Sequence, residues 1–201
     1  ALSLGSFETT PLRHTAAMAA FANGGVYVEP YFVDRVEDAE GNLLYQAAPH
    51  RARVWSEETA YIMLDLLHAN VYDRDPAYGL SNRASVPGRW IGGKTGTTND
   101  DRDIWFVGMT PGLVASVWIG NDGAGSLPSS MELSTGFRDT VTSSRQPIYV
   151  WNDFVADALH GRSGDPNGFP VPDGITFRNI DLKTGAVTPG GVRAAFRSSD
   201  V

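Results

Sequence analysis

The sequence predicts an α+β fold in which antiparallel strands and helices alternate along the chain. Two observations carry this. Residues 104–109 (Ile-Trp-Phe-Val-Gly-Met) and 113–120 are apolar, β-rich runs joined by Thr110-Pro111-Gly112, and a turn that short joins antiparallel neighbours. Three other stretches space their apolar residues for helices, two of them behind a hydroxyl start signal.

The first helix opens at Thr9-Thr10-Pro11, a hydroxyl cap with proline in the first turn. Leu12, Ala16, Ala19 and Ala20 form a small apolar stripe suited to close packing on a sheet, and Asn23-Gly24-Gly25 stops the helix. Residues 26–36 are extended and interrupted by Pro30. Glu40-Gly41-Asn42 then turns the chain into Leu43-Leu44-Tyr45, which predicts a hairpin. Ser56 begins a second helix, with Glu57 and Glu58 near its positive end and Met63, Leu64 and Leu67 as its buried face. Residues 72–90, rich in Pro, Gly, Asn, Ser and Arg, read as a long loop. Trp90-Ile91 leads into residues 92–98, a polar turn over 99–103, and then the strand pair. After a Gly/Ser-rich loop (123–136), residues 147–160 form a third helix with Ile148, Trp151, Phe154, Val155 and Leu159 on its apolar face and Gly161 at its end. The tail from Ser163 is rich in Gly and Pro and holds short extended pieces such as Ile175-Thr176-Phe177. A main unit over residues 1–162 is expected, with residues 163–201 an extension that packs on it or is partly ordered.

Composition excludes several functions. The chain has 201 residues, 42% hydrophobic and 19% charged, the balance of an ordinary globular domain. Cysteine is absent, which rules out disulfides, thiolate metal sites and a cysteine nucleophile. The net charge is −7, and two of the 16 basic residues are lysine. No clustered cationic face points to nucleic acid. His14, His50, His68 and His160 lie far apart without the i, i+4 spacing of a helical metal site, so surface or packing roles are expected. No apolar run reaches the ~20 residues of a membrane span, and no signal-type start is present. The opening at Ala1 on an already structured-looking segment predicts a piece of a longer protein, with any membrane anchor upstream.

Residues 92–98 carry the most chemistry and admit two readings. Residues 88–95, Gly-Arg-Trp-Ile-Gly-Gly-Lys-Thr, match the phosphate-loop pattern GxxxxGK[ST]. That loop needs a buried strand before it and a helix directly after Lys94-Thr95. Val86-Pro87-Gly88 and Gly96-Thr97-Thr98-Asn99-Asp100 supply neither. The alternative is an extended strand lining a serine acyl-transferase site. There Lys94 offers a cation for a substrate carboxylate and for proton transfer. Thr95 and Thr97 offer hydroxyls, and Gly96 lets a substrate backbone lie flat on the strand.

The longer string from Lys94 through Thr98, Asn99-Asp100-Asp101-Arg102-Asp103 and Ile104-Trp105-Phe106-Val107-Gly108 to Thr110-Pro111 strongly resembles the third active-site motif of class A penicillin-binding proteins, the bifunctional peptidoglycan synthases. Gly5-Ser6-Phe7-Glu8 through Pro11-Leu12 and Ala20-Phe21-Ala22-Asn23-Gly24-Gly25 resemble the helix before that motif. Val117-Trp118-Ile119-Gly120-Asn121-Asp122 is similar to the strand after it, and Pro147-Ile148 with Trp151-Asn152-Asp153-Phe154 to the next helix. The similarity spans roughly residues 1–160, with a looser likeness over 175–185. It implies that residues 1–162 are the C-terminal part of a transpeptidase domain of the serine beta-lactamase/DD-transpeptidase-like fold, an antiparallel sheet flanked by helices.

The resemblance further implies the site. Lys94 belongs to the proton and electrostatic network, and Thr95 and Thr97 bind the carboxylate of substrate or drug beside Gly96. The Thr97 backbone N–H is half of the oxyanion hole, and Thr98, Arg102 and Asp103 support the turn, Arg102 and Asp103 as a pair. Implied partners are peptidoglycan stem peptides ending in D-Ala-D-Ala, beta-lactams, and the missing upstream half of the same domain. No cofactor, metal or nucleic acid is implied; the location is extracytoplasmic, and the membrane is reached only through an upstream anchor. The family nucleophile lies in Ser-x-x-Lys. Here the residues three before Lys94 and Lys183 are Ile91 and Ile180. Ser-x-Asn is also absent. The chain by itself is therefore expected to be inactive, either as part of a real enzyme or as a non-catalytic binding module that retains the fold.

Overall fold

The computed structural model describes residues 8–72, 80, 83–121, 123, 125–132 and 136–200. The long loop expected over 72–90 and the Gly/Ser-rich loop lie partly outside these residues, as does Gly5-Ser6-Phe7.

Helix α1 (Pro11–Ala22) begins where the cap signal places it, the Thr10 hydroxyl accepting from the Arg13 N–H at 3.3 Å. Strand β1 (Val26–Val28) pairs antiparallel with β4 (Arg51–Arg53), and the connection folds into the hairpin β2 (Arg35–Glu37) and β3 (Leu43–Gln46). Asp38 builds its turn, one carboxylate oxygen accepting from the N–H groups of Glu40 at 3.0 Å and Asn42 at 2.7 Å. Helix α2 (Glu57–Val71) is capped by Ser56, whose hydroxyl accepts from the Thr59 N–H at 3.2 Å.

Strands β5 (Gly92–Thr97), β6 (Asp103–Thr110) and β7 (Leu113–Gly120) form one antiparallel sheet in that order. Lys94 lies opposite Val107, Thr97 opposite Ile104, and Trp105 opposite Trp118. Side-chain alternation divides the sheet into two faces. On one, Phe106 meets Trp151 of helix α3 (Gln146–Ala158) edge to face, ring centroids 5.5 Å apart, amid buried Ile91, Ile148 and Val155. On the other, Met109 joins Leu64 and Leu67 of α2, with Met18 and Phe21 of α1 packed around them. Helices thus cover both faces of an antiparallel sheet.

Two apolar positions depart from the expected pattern. Leu12 is 46% exposed because α1 first meets the sheet at His14, against Trp105, and at Thr15, whose hydroxyl lies 2.8 Å from that of Ser116. Phe154 is 52% exposed, since Ile148, Trp151 and Val155 fill the narrow stripe of α3 that faces the sheet. Trp105 and Phe106 divide as neighbours on a strand must, Phe106 to the α3 face and Trp105 towards α1.

The short strands β8 (Ser130–Glu132) and β9 (Arg138–Thr140) pair ahead of α3. The tail contains β10 (Ile175–Ile180) and β11 (Val192–Arg197), an antiparallel hairpin of which only the first strand is foreshadowed in the sequence. It seats on α2: Asp65 accepts from the Ala195 N–H at 2.9 Å, Arg197 bonds the Thr59 hydroxyl, and Tyr61 meets Phe177 edge on. The residues entering β5 are also locked. The Arg89 guanidinium donates to the carbonyls of Leu159, Arg162 and Ser163 at the end of α3. Trp90 packs between His68, stacked at 4.6 Å, and Phe169, edge on at 5.1 Å.

Burial holds the His14 imidazole below its usual pKa, and its Nδ1 is buried without a hydrogen-bond partner among the described residues. The folded state therefore binds this proton less readily than the unfolded chain. The resulting stability is whole above the ordinary value of 6.5 and is lost as pH falls through it towards the lower folded value. Melting temperature is expected to fall below about pH 6.5, and His14→Gln to flatten that part of the profile. A profile unchanged by the substitution would assign the acid sensitivity to other groups.

Candidate functional site

The edge of β5 turned away from β6 is closed along half its length and open along the rest. Asn70 of α2 donates to the Gly93 carbonyl at 2.7 Å, and His68 bonds the Ile91 carbonyl through Nδ1 at 2.8 Å. Residues 91, 93, 95 and 97 all direct their backbone groups to this edge, since those of the alternate residues face β6. Helix α2 covers the first two and stops at Val71. Beyond it, the Thr95 carbonyl is met by the Lys94 ammonium at 2.9 Å, and the alternation directs the Thr97 N–H outward beside it. Lys94 and Thr97 are exposed, Thr95 and Gly96 half-buried.

The two glycines on either side of Lys94 have different reasons to be glycine. A Cβ on Gly93 would lie 2.5 Å from the Phe106 ring, so core packing demands the small residue there. A Cβ on Gly96 would meet the Cβ of Trp105 at 3.4 Å, an ordinary contact. Packing therefore leaves room for a side chain at 96, and its absence leaves the strand surface open to a neighbour.

The turn after the strand is pinned by Asp103. Its carboxylate accepts from the Thr98 hydroxyl and from the Trp118 indole N–H, each at 2.9 Å, while its own N–H donates back to the Thr98 hydroxyl at 2.9 Å. Asn99–Asp101 form a single tight helical turn in which Asp100 and Asp101 take left-handed φ values of 61° and 50°. Aspartate tolerates that region better than most residues. Arg102 faces Asp100 at 4.0 Å rather than Asp103, correcting the expected pair: consecutive residues here point apart, and Thr98 and Trp118 occupy the Asp103 carboxylate.

Three contributors to this edge are not apparent in the sequence. His68 and Asn70 close its first half, and Ser143 accepts from the Thr97 hydroxyl at 2.9 Å. The one local signal is the hydroxyl run Thr142-Ser143-Ser144 ahead of α3. Among the described residues no group of three acidic or His side chains could hold a metal, and no helix is long and apolar enough to cross a membrane. The phosphate-loop match fails physically: residues 92–97 are a sheet strand, and no helix starts at Lys94 to receive a phosphate. A groove of ≈ 500 Å³ between α1, α2 and residues 169–173 contains none of the strand's residues.

Residues 1–130, which contain this sheet and its open Lys-Thr-Gly-Thr edge strand, match the penicillin binding protein transpeptidase domain. The chain belongs to this family. It is 38% identical over 199 residues to penicillin-binding protein 1A of Neisseria lactamica, covering 95% of this chain and 23% of that protein. To penicillin-binding protein 1A of Rickettsia conorii it is 35% identical over 222 residues, covering 98% of this chain and 26% of the relative. The crystal structure of penicillin-binding protein 1A from Haemophilus influenzae superposes with a TM-score of 0.75 at 27% identity, covering 98% of this chain and 33% of that one. The chain thus spans about a quarter of the length of the curated relatives it matches.

Proposed function

We propose that this chain supplies the substrate strand of a serine D,D-transpeptidase that cross-links peptidoglycan stem peptides and is acylated by beta-lactams. The observation that carries the reading is the open half of β5, where an ammonium, two hydroxyls and an outward N–H gather past the end of α2. In this role Lys94 attracts the carboxylate end of D-Ala-D-Ala and takes part in proton transfer. Thr95 and Thr97 hold that carboxylate, Gly96 admits the substrate backbone, and the Thr97 N–H is one of two donors to the oxyanion. Thr98, Arg102 and Asp103 keep the turn in place, with Asp103 the central member.

The reaction consists of two displacements. A serine oxygen attacks the carbonyl between the two D-alanines, the C–N bond breaks, and D-alanine leaves carrying the serine's proton. An amine from a neighbouring strand then attacks the ester, gives up a proton, and restores the serine hydroxyl. With no Ser-x-x-Lys or Ser-x-Asn in this chain, the nucleophile belongs to an upstream half of the same domain. A glycosyltransferase domain and a membrane anchor precede that half, on the outer side of the cell membrane. Residues 163–201 act as an extension that steadies α2. The chemistry calls for no cofactor.

Fluorescent penicillin tests the reading on the chain alone and on the chain extended by its upstream coding region. Label is expected only on the extended protein, on the serine of a Ser-x-x-Lys. Labelling of the 201-residue chain alone, or none on the extended protein, would overturn it. The second outcome would favour a binding module that keeps the fold without the chemistry.

A further inference from the structure

The loop before α3 sets a hydroxyl beside Thr97 that the Lys-Thr-Gly string does not contain. Thr97 donates to Ser143 Oγ at 2.9 Å, across the same face of the sheet on which Phe106 meets α3. Ser143 sits on a firmly anchored loop. Asp139 and Gln146, each 5% exposed, hold its base. The Gln146 side chain accepts from the Thr142 N–H at 2.8 Å and donates to the Thr140 carbonyl at 2.9 Å. It also donates to the Asp139 carboxylate at 3.3 Å, and Arg145 pairs with the same carboxylate. Buried amide and carboxylate groups satisfied in this way fix a backbone, because any shift would strand polar atoms away from water. The first residues of α3 behind the loop, Gln146, Pro147 and Ile148, are buried as well.

The direction of the hydrogen bond matters. Ser143 Oγ receives the Thr97 proton, and among the described residues no acceptor takes the proton of Ser143 itself. A hydroxyl that accepts one hydrogen bond is polarised to donate another. That leaves Ser143 a proton to donate, beside the strand that carries Lys94 and Thr95.

We propose that Ser143 is a carboxylate-binding residue of this site: it takes the single Thr97 hydroxyl proton and gives its own to the anionic end of the acyl donor, so that the Thr97 hydroxyl acts on the carboxylate through Ser143 while Thr95 binds it directly. The row of hydroxyls on β5 thereby continues onto the loop before α3, and the carboxylate is gripped from two elements of the fold. This rests on the acyl-transfer reading above.

The test is made in the extended protein, comparing wild type, Ser143→Ala and Ser143→Thr. Second-order acylation rates are measured with benzylpenicillin and with its methyl ester, whose carboxylate is masked. A hydrogen bond to a charged group lost in Ser143→Ala is expected to slow acylation by the acid roughly tenfold or more. The ester rate is expected to change little, the threonine variant to keep the wild-type rate, and the melting temperatures to agree. Equal rates for wild type and Ser143→Ala with the acid would overturn the inference. So would an equal fall for acid and ester, which would make Ser143 a structural support. A wild-type protein that takes no label overturns the acyl-transfer reading, and the inference with it.

Discussion

Replacing Lys94 by alanine is expected to lower acylation by penicillin ~10²–10⁴-fold in the extended protein, the range typical of a lost proton-transfer group. The fold should be untouched. Lys94 is exposed on the edge strand, and among the described residues its one hydrogen bond runs to the carbonyl of the next residue, Thr95. Equal melting curves for the two proteins check this. Lys94→Arg separates two contributions, because arginine keeps the charge but does not release a proton at neutral pH. If Lys94 acts chiefly as an electrostatic anchor, arginine restores most of the rate. If it moves a proton, arginine stays near the alanine level. An alanine variant as fast as the parent would remove Lys94 from the chemistry.

Trp151→Ala is expected to be the most damaging single substitution for stability, costing about 3–5 kcal/mol, the usual range for emptying a large aromatic site. The indole is fully buried, meets Phe106 at 88°, and donates to the Ala115 carbonyl at 3.1 Å. It fits because β6 carries glycine beneath it: a Cβ on Gly108 would lie 2.4 Å from the indole. In a domain of this size the loss corresponds to a fall in melting temperature of roughly 6–20 °C, read by circular dichroism. Trp151→Phe should cost less, retaining most of the packing and leaving the Ala115 carbonyl unpaired. A negligible change on Trp151→Ala would mean that α3 is not docked as described. The same helix carries the Ser143 loop at its start, so damage to this joint should reach the site too.

Local features were legible where the physics is local. Thr10 and Ser56 cap their helices because a hydroxyl can reach an N–H three residues on without help from the rest of the fold. The two-residue turn between β6 and β7 made their pairing antiparallel whatever surrounded it. Periodicity was a weaker guide to burial. It marks which residues share a helix face but not how wide a stripe the partner covers, so Phe154 at the rim of α3 and Leu12 ahead of the contact in α1 lie in solvent. Strand β11 leaves little trace in the sequence because Val192–Arg197 alternates weakly and takes its partner from β10 across a long turn. Arg102 turns to Asp100 and not to Asp103 because adjacency in sequence is no guide to which carboxylate a flexible guanidinium can reach.

The chemistry of the strand, an ammonium, two hydroxyls and an uncrowded glycine in consecutive positions, was set by the sequence itself, as were its family and the absence of a nucleophile motif. Which part of the strand stays open was decided only by the tertiary structure. Closure of the first half depends on His68 and Asn70, each 23 residues from the carbonyl it meets. The hydroxyl beside Thr97 comes from Ser143, 46 residues away. Contacts of that kind leave no period or spacing in a sequence, because the distance between such groups is set by the packing of α2 and α3 against the sheet rather than by the path of the chain.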